Sequence, residues 1–279
     1  MTAPAGRPVL TLLYVPGDQP ARIAKALAST ADVVIVDLED AVAPDRKDVA
    51  RAAAVEAVAA TDRPVQVRVN ALGSPWALDD VAAVADLPLG VGLRVPKVVD
   101  VDDVRTLAAS APGRGLHLLL ESALGVERAF DLATASPDVA GLGLGEADLR
   151  SDLGLTGDAG LLYARSRVIV AARAAGLPAP AMSAYTRVGD PEGLRESCLA
   201  GRALGFLGRT AIHPAQLDVI VAAFRPSAEE VERAAAVVDG VAAATTVGRG
   251  TVVLPDGTFL DVAMVEQARR VLALADRDR

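Results

Sequence analysis

Short apolar, β-branched runs alternate with alanine-rich stretches along most of this chain. The runs are Leu10–Val15, Asp32–Leu38, Pro64–Asn70, Gly92–Pro96, Leu116–Leu120, Val139–Leu144, Pro180–Ser183 and Gly208–Ile212. They are continuous rather than alternating, so each predicted strand buries both faces, as strands of a parallel sheet do. Between them lie helix candidates near Pro20–Ala28, Lys47–Ala60, Trp76–Ala85, Val101–Ala109, Val126–Ala133, Tyr163–Ala175, Pro191–Leu204 and Pro214–Ala223. Eight successive βα units predict a closed (β/α)8 barrel over an open sheet. Helix punctuation agrees, with Pro20, Pro191 and Pro214 early in their helices and Gly176 and Gly205 after helix ends. The seventh run carries Pro178 and Pro180 and has the weakest strand signal.

The pattern changes after Arg225. Pro226-Ser227 opens a helix whose first turn holds Glu229 and Glu230, the sign that the helix dipole favours. Val247–Leu254, the turn Pro255-Asp256-Gly257 and Thr258–Asp261 read as a hairpin, and a last helix runs from Val262 to Leu274. Residues 1–225 are therefore expected to form the barrel domain. Residues 226–279 form an extension that packs on the barrel or on a neighbouring subunit.

Composition narrows the chemistry. The chain is 52% hydrophobic but only 3% aromatic, so Ala, Val and Leu must build the core. The 28 Lys+Arg against 36 Asp+Glu leave a net charge of −8, which disfavours a general nucleic-acid surface. A single cysteine, Cys198, excludes an internal disulfide and a thiolate metal cluster. His117 and His213 are the only histidines, too few for a His-rich zinc or iron centre. No apolar run approaches the roughly 20 residues of a membrane span, and Met1–Pro8 has no apolar signal core. The expectation is a cytoplasmic protein without membrane or nucleic-acid partners.

Barrel chemistry sits at the C-terminal strand ends. Here these read Pro16-Gly17-Asp18, Asp37-Leu38-Glu39-Asp40, Arg68-Val69-Asn70, Pro96-Lys97, Glu121-Ser122, Gly145-Glu146-Ala147-Asp148 and His213-Pro214. Glu121 and Asp148 come from adjacent strands, and two carboxylates with several waters suit Mg2+. Alternatively, each caps a helix start. Arg68 is either an anion clamp or the salt-bridge partner of Asp37, Glu39 or Asp40. Lys97 is placed for a Schiff base or, preferably, for charge balance on an acidic rim. Gly141-Leu142-Gly143-Leu144-Gly145 lacks the last glycine of a dinucleotide loop, because Glu146 stands there. Cys198 reads as a packed thiol, His213 as a structural hydrogen-bonding residue and Trp76 as surface packing.

The strand-end blocks resemble the citrate lyase β-subunit-like branch of the HpcH/HpaI aldolase superfamily over essentially the whole length. The resemblance rests on Leu13–Asp18, Asp37–Val42, Arg68–Asn70, Val95–Lys97, Glu121–Val126, Gly143–Leu149 and Ile212–Gln216, in family order. It implies a (β/α)8 barrel with Mg2+ on Glu121 and Asp148. It also implies that Glu39 and Asp40 steady the waters around the metal, that Arg68 contacts a substrate carbonyl or carboxylate, and that Pro16 and Gly17 border the substrate. Relatives act on CoA or acyl-carrier-protein thioesters of hydroxy acids, and in malyl-CoA lyase-like members a C-terminal aspartate, often reaching a neighbouring subunit, serves as base. Asp261 matches that aspartate in Gly257-Thr258-Phe259-Leu260-Asp261. The implied protein is a homo-oligomer, trimer or hexamer, with Arg22 and Lys25 as candidates for the CoA phosphates.

Two departures stand out. Leu10-Thr11 replaces the Arg-Ser of many relatives, removing an arginine expected to touch substrate. Pro180-Ala181-Met182-Ser183 lacks the Asp that citrate lyase subunits carry there. The expected reaction is Mg2+-dependent cleavage of a 3-hydroxyacyl-CoA such as malyl-CoA or citramalyl-CoA. The alternatives are a citryl-thioester lyase subunit, a malate synthase or thioesterase, and a non-catalytic CoA-ester-binding barrel.

Overall fold

A computed structural model describes residues 7–246, 251–253 and 259–278. Its contacts separate into two compact units. One is Val9–Ala223, and the other holds Pro8 together with the chain from Phe224 onward.

The first unit is an α/β fold around a seven-stranded, all-parallel, curled sheet. Its strands are β1 (Thr11–Pro16), β2 (Val33–Asp37), β3 (Val65–Arg68), β4 (Val91–Val95), β5 (Leu116–Leu120), β6 (Val139–Leu144) and β7 (Arg209–Ala211). Their order is β6-β5-β4-β3-β2-β1-β7. Around it run α1 (Pro20–Leu27), α2 (Lys47–Ala59), α3 (Ala77–Ala85), α4 (Val101–Ser110), α5 (Ala123–Glu127), α6 (Ala129–Ala133), α7 (Glu146–Leu153), α8 (Leu162–Ala174), α9 (Pro191–Leu204) and α10 (Leu217–Phe224). The register Pro16↔Asp37↔Arg68↔Arg94 brings the C-terminal ends of neighbouring strands to one side. Val34, Ile35 and Val36 are fully buried, as expected of a strand covered on both faces.

The seventh of the eight expected strands, Pro180–Ser183, does not form as a strand. Pro180–Ser183 makes one parallel bridge, Met182↔Arg209, through Met182 N to Gly208 O (3.0 Å) and Thr210 N to Met182 O (2.9 Å). Pro178 and Pro180 have no N–H to donate, so a longer ladder cannot form. Toward β6 the same segment offers a side chain: the Ser183 hydroxyl donates to Leu144 O.

Three helix expectations are also corrected. Val126–Ala133 divides at Arg128 into α5 and α6, and the helix expected at Pro214 begins as a 3-10 turn, Pro214–Gln216, before α10. Helix α7 was not anticipated, although acidic residues in its first turn and Gly154 as its C-cap mark both ends.

In the second unit, α11 (Ala228–Thr246) packs on α12 (Val262–Ala275) through Ala234, Val237, Val241 and Ala268. Ser227 and Glu230 cap α11 reciprocally: Glu230 N donates to Ser227 Oγ (3.1 Å) and Ser227 N to Glu230 Oε2 (2.7 Å). Strands β8 (Thr251–Val253) and β9 (Phe259–Asp261) pair antiparallel. The expected turn Pro255-Asp256-Gly257 lies outside the described residues. No helix among the described residues is long and apolar enough to cross a membrane.

One buried cation holds the approach to β4. Arg114 is 2% exposed and donates to the carbonyls of Ala85 (2.9 Å), Leu87, Pro88 (2.9 Å) and Val91 (3.1 Å). Replacing it removes a donor from four carbonyls between the end of α3 and the start of β4, of which Pro88 O keeps the Val91 N–H at 3.0 Å. We expect Arg114→Met to lower unfolding stability by about 3 kcal/mol in a urea titration, with the loss of a buried charged donor as the cause.

Candidate active site

The end of β2 is organised by its own last residue. Asp37 Oδ1 accepts from Glu39 N (2.9 Å) and Asp37 Oδ2 from Ala41 N (3.3 Å), which turns the following loop. The same carboxylate takes Arg68 as a fork, through Nε (2.7 Å) and one terminal nitrogen. The other terminal nitrogen of Arg68 lies 3.0 Å from both Glu39 Oε2 and Asp40 Oδ2. Burial opposes the Arg68 charge, but hydrogen bonding and attraction from Asp37 outweigh it and hold the guanidinium above its ordinary pKa. Buried Lys47 donates to Leu38 O and Glu39 O, both at 2.7 Å, and fixes the loop from within.

Lys97 connects this cluster to Glu121. Its Nζ reaches Glu39 Oε1 at 2.6 Å, and its backbone N–H donates to Glu121 Oε2 at 2.9 Å. The residue does so in a left-handed conformation, φ 56°, which a non-glycine residue seldom adopts. Lys97 is thus a charge-balancing partner. Burial pushes the Glu39 carboxyl up, against the opposing pull of Arg68 and Lys97.

Glu121 is 5% exposed, whereas Asp148, in the first turn of α7, is exposed. Burial, then repulsion by Glu39 and Asp148, pushes Glu121 up to about 7. Both acids line a cavity of about 490 Å³ at the strand ends, together with Tyr14, Pro16, Arg22, Asp40, Arg68 and Arg94. Glycine is required at 145, because a Cβ there would collide with the Glu121 carboxyl. Neither acid caps a helix. Ser122 caps α5 through Gly125 N (3.2 Å), Asp152 accepts from Ala123 N (2.7 Å), and α7 has no side-chain cap.

Among the described residues no group of three or more His, Cys, Asp or Glu is gathered for a metal. Two oxygen donors on a shared cavity, one buried and strongly repelled by its acidic neighbours, fit a hard cation that keeps most of its water.

The other expected residues fall as follows. Pro16 lines the cavity, whereas Gly17 does not; its N–H donates to Asp37 O at 2.8 Å. Arg22 lines it, and Lys25 does not. Leu10 and Thr11 lie at the start of β1, buried, with both amides on Asp32 (2.8 and 2.9 Å). The arginine absent from position 10 therefore takes nothing from the strand-end cavity, which lies at the opposite end of β1. His213 Nδ1 accepts from Ala215 N at 3.2 Å, and Cys198 is a buried thiol in α9. Trp76 is half-buried at the start of α3 beneath Lys47. Asp261 ends β9, and its side chain is outside the described residues. Sequence reasoning overlooked Arg94 and Tyr14. An arginine inside the apolar run Val91-Gly92-Leu93-Arg94-Val95 was the available signal.

Comparison with known proteins gives this arrangement its context. The profile of the HpcH/HpaI aldolase/citrate lyase family matches residues 10–214. The chain belongs to that family, a family of lyases. It is 37% identical to a (3S)-malyl-CoA thioesterase of Cereibacter sphaeroides over 96% of this chain and 95% of the relative. It is 34% identical to the citrate lyase subunit beta of Escherichia coli K12, over 95% and 93% of the two chains. Among solved structures, CitE from Mycobacterium tuberculosis, in complex with magnesium, acetoacetate and coenzyme A, superposes with TM-score 0.80 at 32% identity. That match covers 96% of this chain and 98% of the other.

The raised Glu121 pKa of this HpcH/HpaI family chain has a stability consequence. The folded carboxyl holds its proton more tightly than the unfolded one. Its contribution is therefore complete below about 4.5 and is lost as pH rises through about 7. Over that window metal-free wild type should lose melting temperature relative to Glu121→Gln. Added Mg2+ should restore wild type at the alkaline end and leave Glu121→Gln unmoved, as read by calorimetry.

Proposed function

We propose that the chain is a Mg2+-dependent carbon–carbon lyase acting on a 3-hydroxyacyl-CoA, malyl-CoA or citramalyl-CoA, to give acetyl-CoA and a 2-oxo acid. The catalytic domain is a (β/α)8 barrel over residues 1–225, with residues 226–279 as its extension, in a cytoplasmic homo-oligomer of three or six chains. The observation that carries this reading is the placement of Glu121 and Asp148 on one cavity with Arg68, where burial and the neighbouring acids outweigh the pull of Arg68 and Lys97 on Glu121. Glu121 and Asp148 would hold the metal. Bound there, Mg2+ supplies a Lewis acid and a template for the oxo acid's oxygens.

The chain's own groups do the rest. Asp261 takes the proton of the β-hydroxyl, the adjacent C–C bond breaks, the electron pair moves onto the thioester as an enolate, and the proton passes from Asp261 to the enolate carbon to give acetyl-CoA. Arg68, held rigid by Asp37, faces that oxyanion. Glu39 and Asp40 accept hydrogen bonds from water at the rim. Leu119, Leu144 and Tyr14 supply the apolar wall that keeps other water away. In the condensing direction Asp261 returns the proton.

The similarity to a malyl-CoA thioesterase favours one second reading, hydrolysis to malate and CoA at the same site. Incubating the protein with Mg2+ and each acyl-CoA, with products read by mass spectrometry, separates the two. Acetyl-CoA with an oxo acid marks the lyase, and free CoA with a hydroxy diacid marks the thioesterase. Absence of both products with either substrate overturns the proposal. Arg68→Lys should lower kcat by about a hundredfold, since an ammonium cannot keep the fork on Asp37 and also offer a donor to the oxyanion.

Asp261 could serve its own chain's site or a neighbour's, and the family resemblance favours the neighbour's. Mixing inactive Asp261→Asn with inactive Glu121→Gln should then regain part of the activity once subunits exchange. Proven exchange without recovery would place Asp261 in its own chain's site or outside catalysis.

A further inference from the structure

Arg94 is a charge without a counter-charge. It is 8% exposed in the interior face of β4, and its hydrogen-bond partners are neutral: Nε donates to Tyr14 Oη (2.8 Å) and a terminal nitrogen to Gln66 Oε1 (3.1 Å). Its guanidinium lies 5.6 Å from the centre of the Tyr14 ring, and that of Arg68 lies 5.2 Å from the same ring. Arg68, its register partner on β3, has three carboxylates. Among the described residues, Arg94 has none at ion-pair distance. A buried cation left this way is costly unless something anionic completes it.

The surroundings keep a place for that anion. Arg94 lines the strand-end cavity that contains Glu121 and Asp148, and it also lines a second cavity of about 310 Å³ toward the other end of the strands. Gly143 on β6 has no side chain to cover it, and a Cβ there would come to 3.4 Å from the free terminal nitrogen. His117, its register partner on β5, is held neutral down to about 3, first by burial and then by Arg94 itself. The histidine therefore neither neutralises Arg94 nor competes with it for an anion.

We infer that Arg94 binds a carboxylate of the acyl substrate from the floor of the strand-end cavity and so restricts the enzyme to anionic acyl groups. This rests on the proposed reaction. It divides the work between two guanidiniums: Arg68, saturated by acids and fixed, faces the oxyanion formed in the reaction, and Arg94 receives a charge present from the start. A carboxylate is the fitting ligand because the planar fork matches its two oxygens.

The test uses two variants and two probes. Arg94→Met removes the charge. Gln66→Glu leaves Arg94 in place and gives it a carboxylate at the position of Gln66 Oε1, on a residue that does not line the strand-end cavity. The probes are pyruvate and its neutral amide, titrated calorimetrically into the full chain with and without Mg2+. Pyruvate affinity should fall about ten- to hundredfold in both variants, while the amide is unaffected. With malyl-CoA, KM should rise by more than kcat falls.

Equal weakening of pyruvate and amide would overturn the inference, because it signals a structural role. So would unchanged pyruvate affinity in Gln66→Glu, a result that stays informative if Arg94→Met does not fold. Wild type that fails to bind pyruvate overturns it too. Wild type that binds pyruvate through Arg94 but turns over no acyl-CoA overturns the proposed reaction and leaves the anion site standing.

Discussion

The fork between Asp37 and Arg68 is the contact on which the strand-end architecture rests. One carboxylate ends β2, turns the following loop through two amides, and fixes the guanidinium that ends β3. Remove it, and Glu39 and Asp40 lose both their loop geometry and their shared cation. Lys47 on the loop carbonyls and Lys97 on the Glu39 carboxylate would then be what holds Leu38 and Glu39. The fork is also where stability and chemistry meet. Its burial is expensive for two ions, and its geometry offsets that expense while leaving Arg68 in a single orientation.

From that centre, charge is distributed in an ordered way across the cavity. Lys97 spans Glu39 and Glu121, so the acids at the ends of β2 and β5 respond to one another. Glu121 and Asp148 remain short of positive charge, and Arg94 remains short of negative charge. A ligand that carries a cation at one place and a carboxylate at another corrects both deficits at once. Each half of such a ligand makes room for the other, which is a physical basis for ordered, mutually reinforcing binding.

Much of this was legible in the sequence because two signals are local. Continuous apolar runs declare a parallel sheet, and in a parallel sheet the residues after each run collect on one side; Asp37, Arg68, Lys97, Glu121 and Asp148 were found that way. Pairing was less legible. Nothing in the string distinguishes Arg68 as an anion clamp from Arg68 as a salt-bridge partner, and the structure shows three acids around it. Arg94 escaped because a charged residue within a strand faces the inside of the curled sheet, and only the fold reveals what it meets there. Proline decided the seventh strand: its hydrophobic pattern was right, but the missing N–H groups prevented the ladder. The run before α7 was read as the strand Val139–Leu144. The helix after it was given no bounds because Glu146–Leu153 is mostly polar and marks no clear apolar face.

The segment Pro180–Ser183 is bonded more sparsely than the strands on either side of it. It is a seam: one bridge joins it to β7, and a hydroxyl joins it to β6. Ser183, Ala184 and Thr186 line the strand-end cavity on this side. Wall residues on β1, β3, β4 and β5, such as Tyr14, Arg68, Arg94 and Leu119, lie instead on strands that two neighbours hold in register. Along the seam, few main-chain bonds are at stake, so the wall can be recut at little structural expense. Substitutions here can reshape this wall while the acid cluster across the cavity stays as it is. The weakest stitch in the sheet is the natural place for substrate range to diverge.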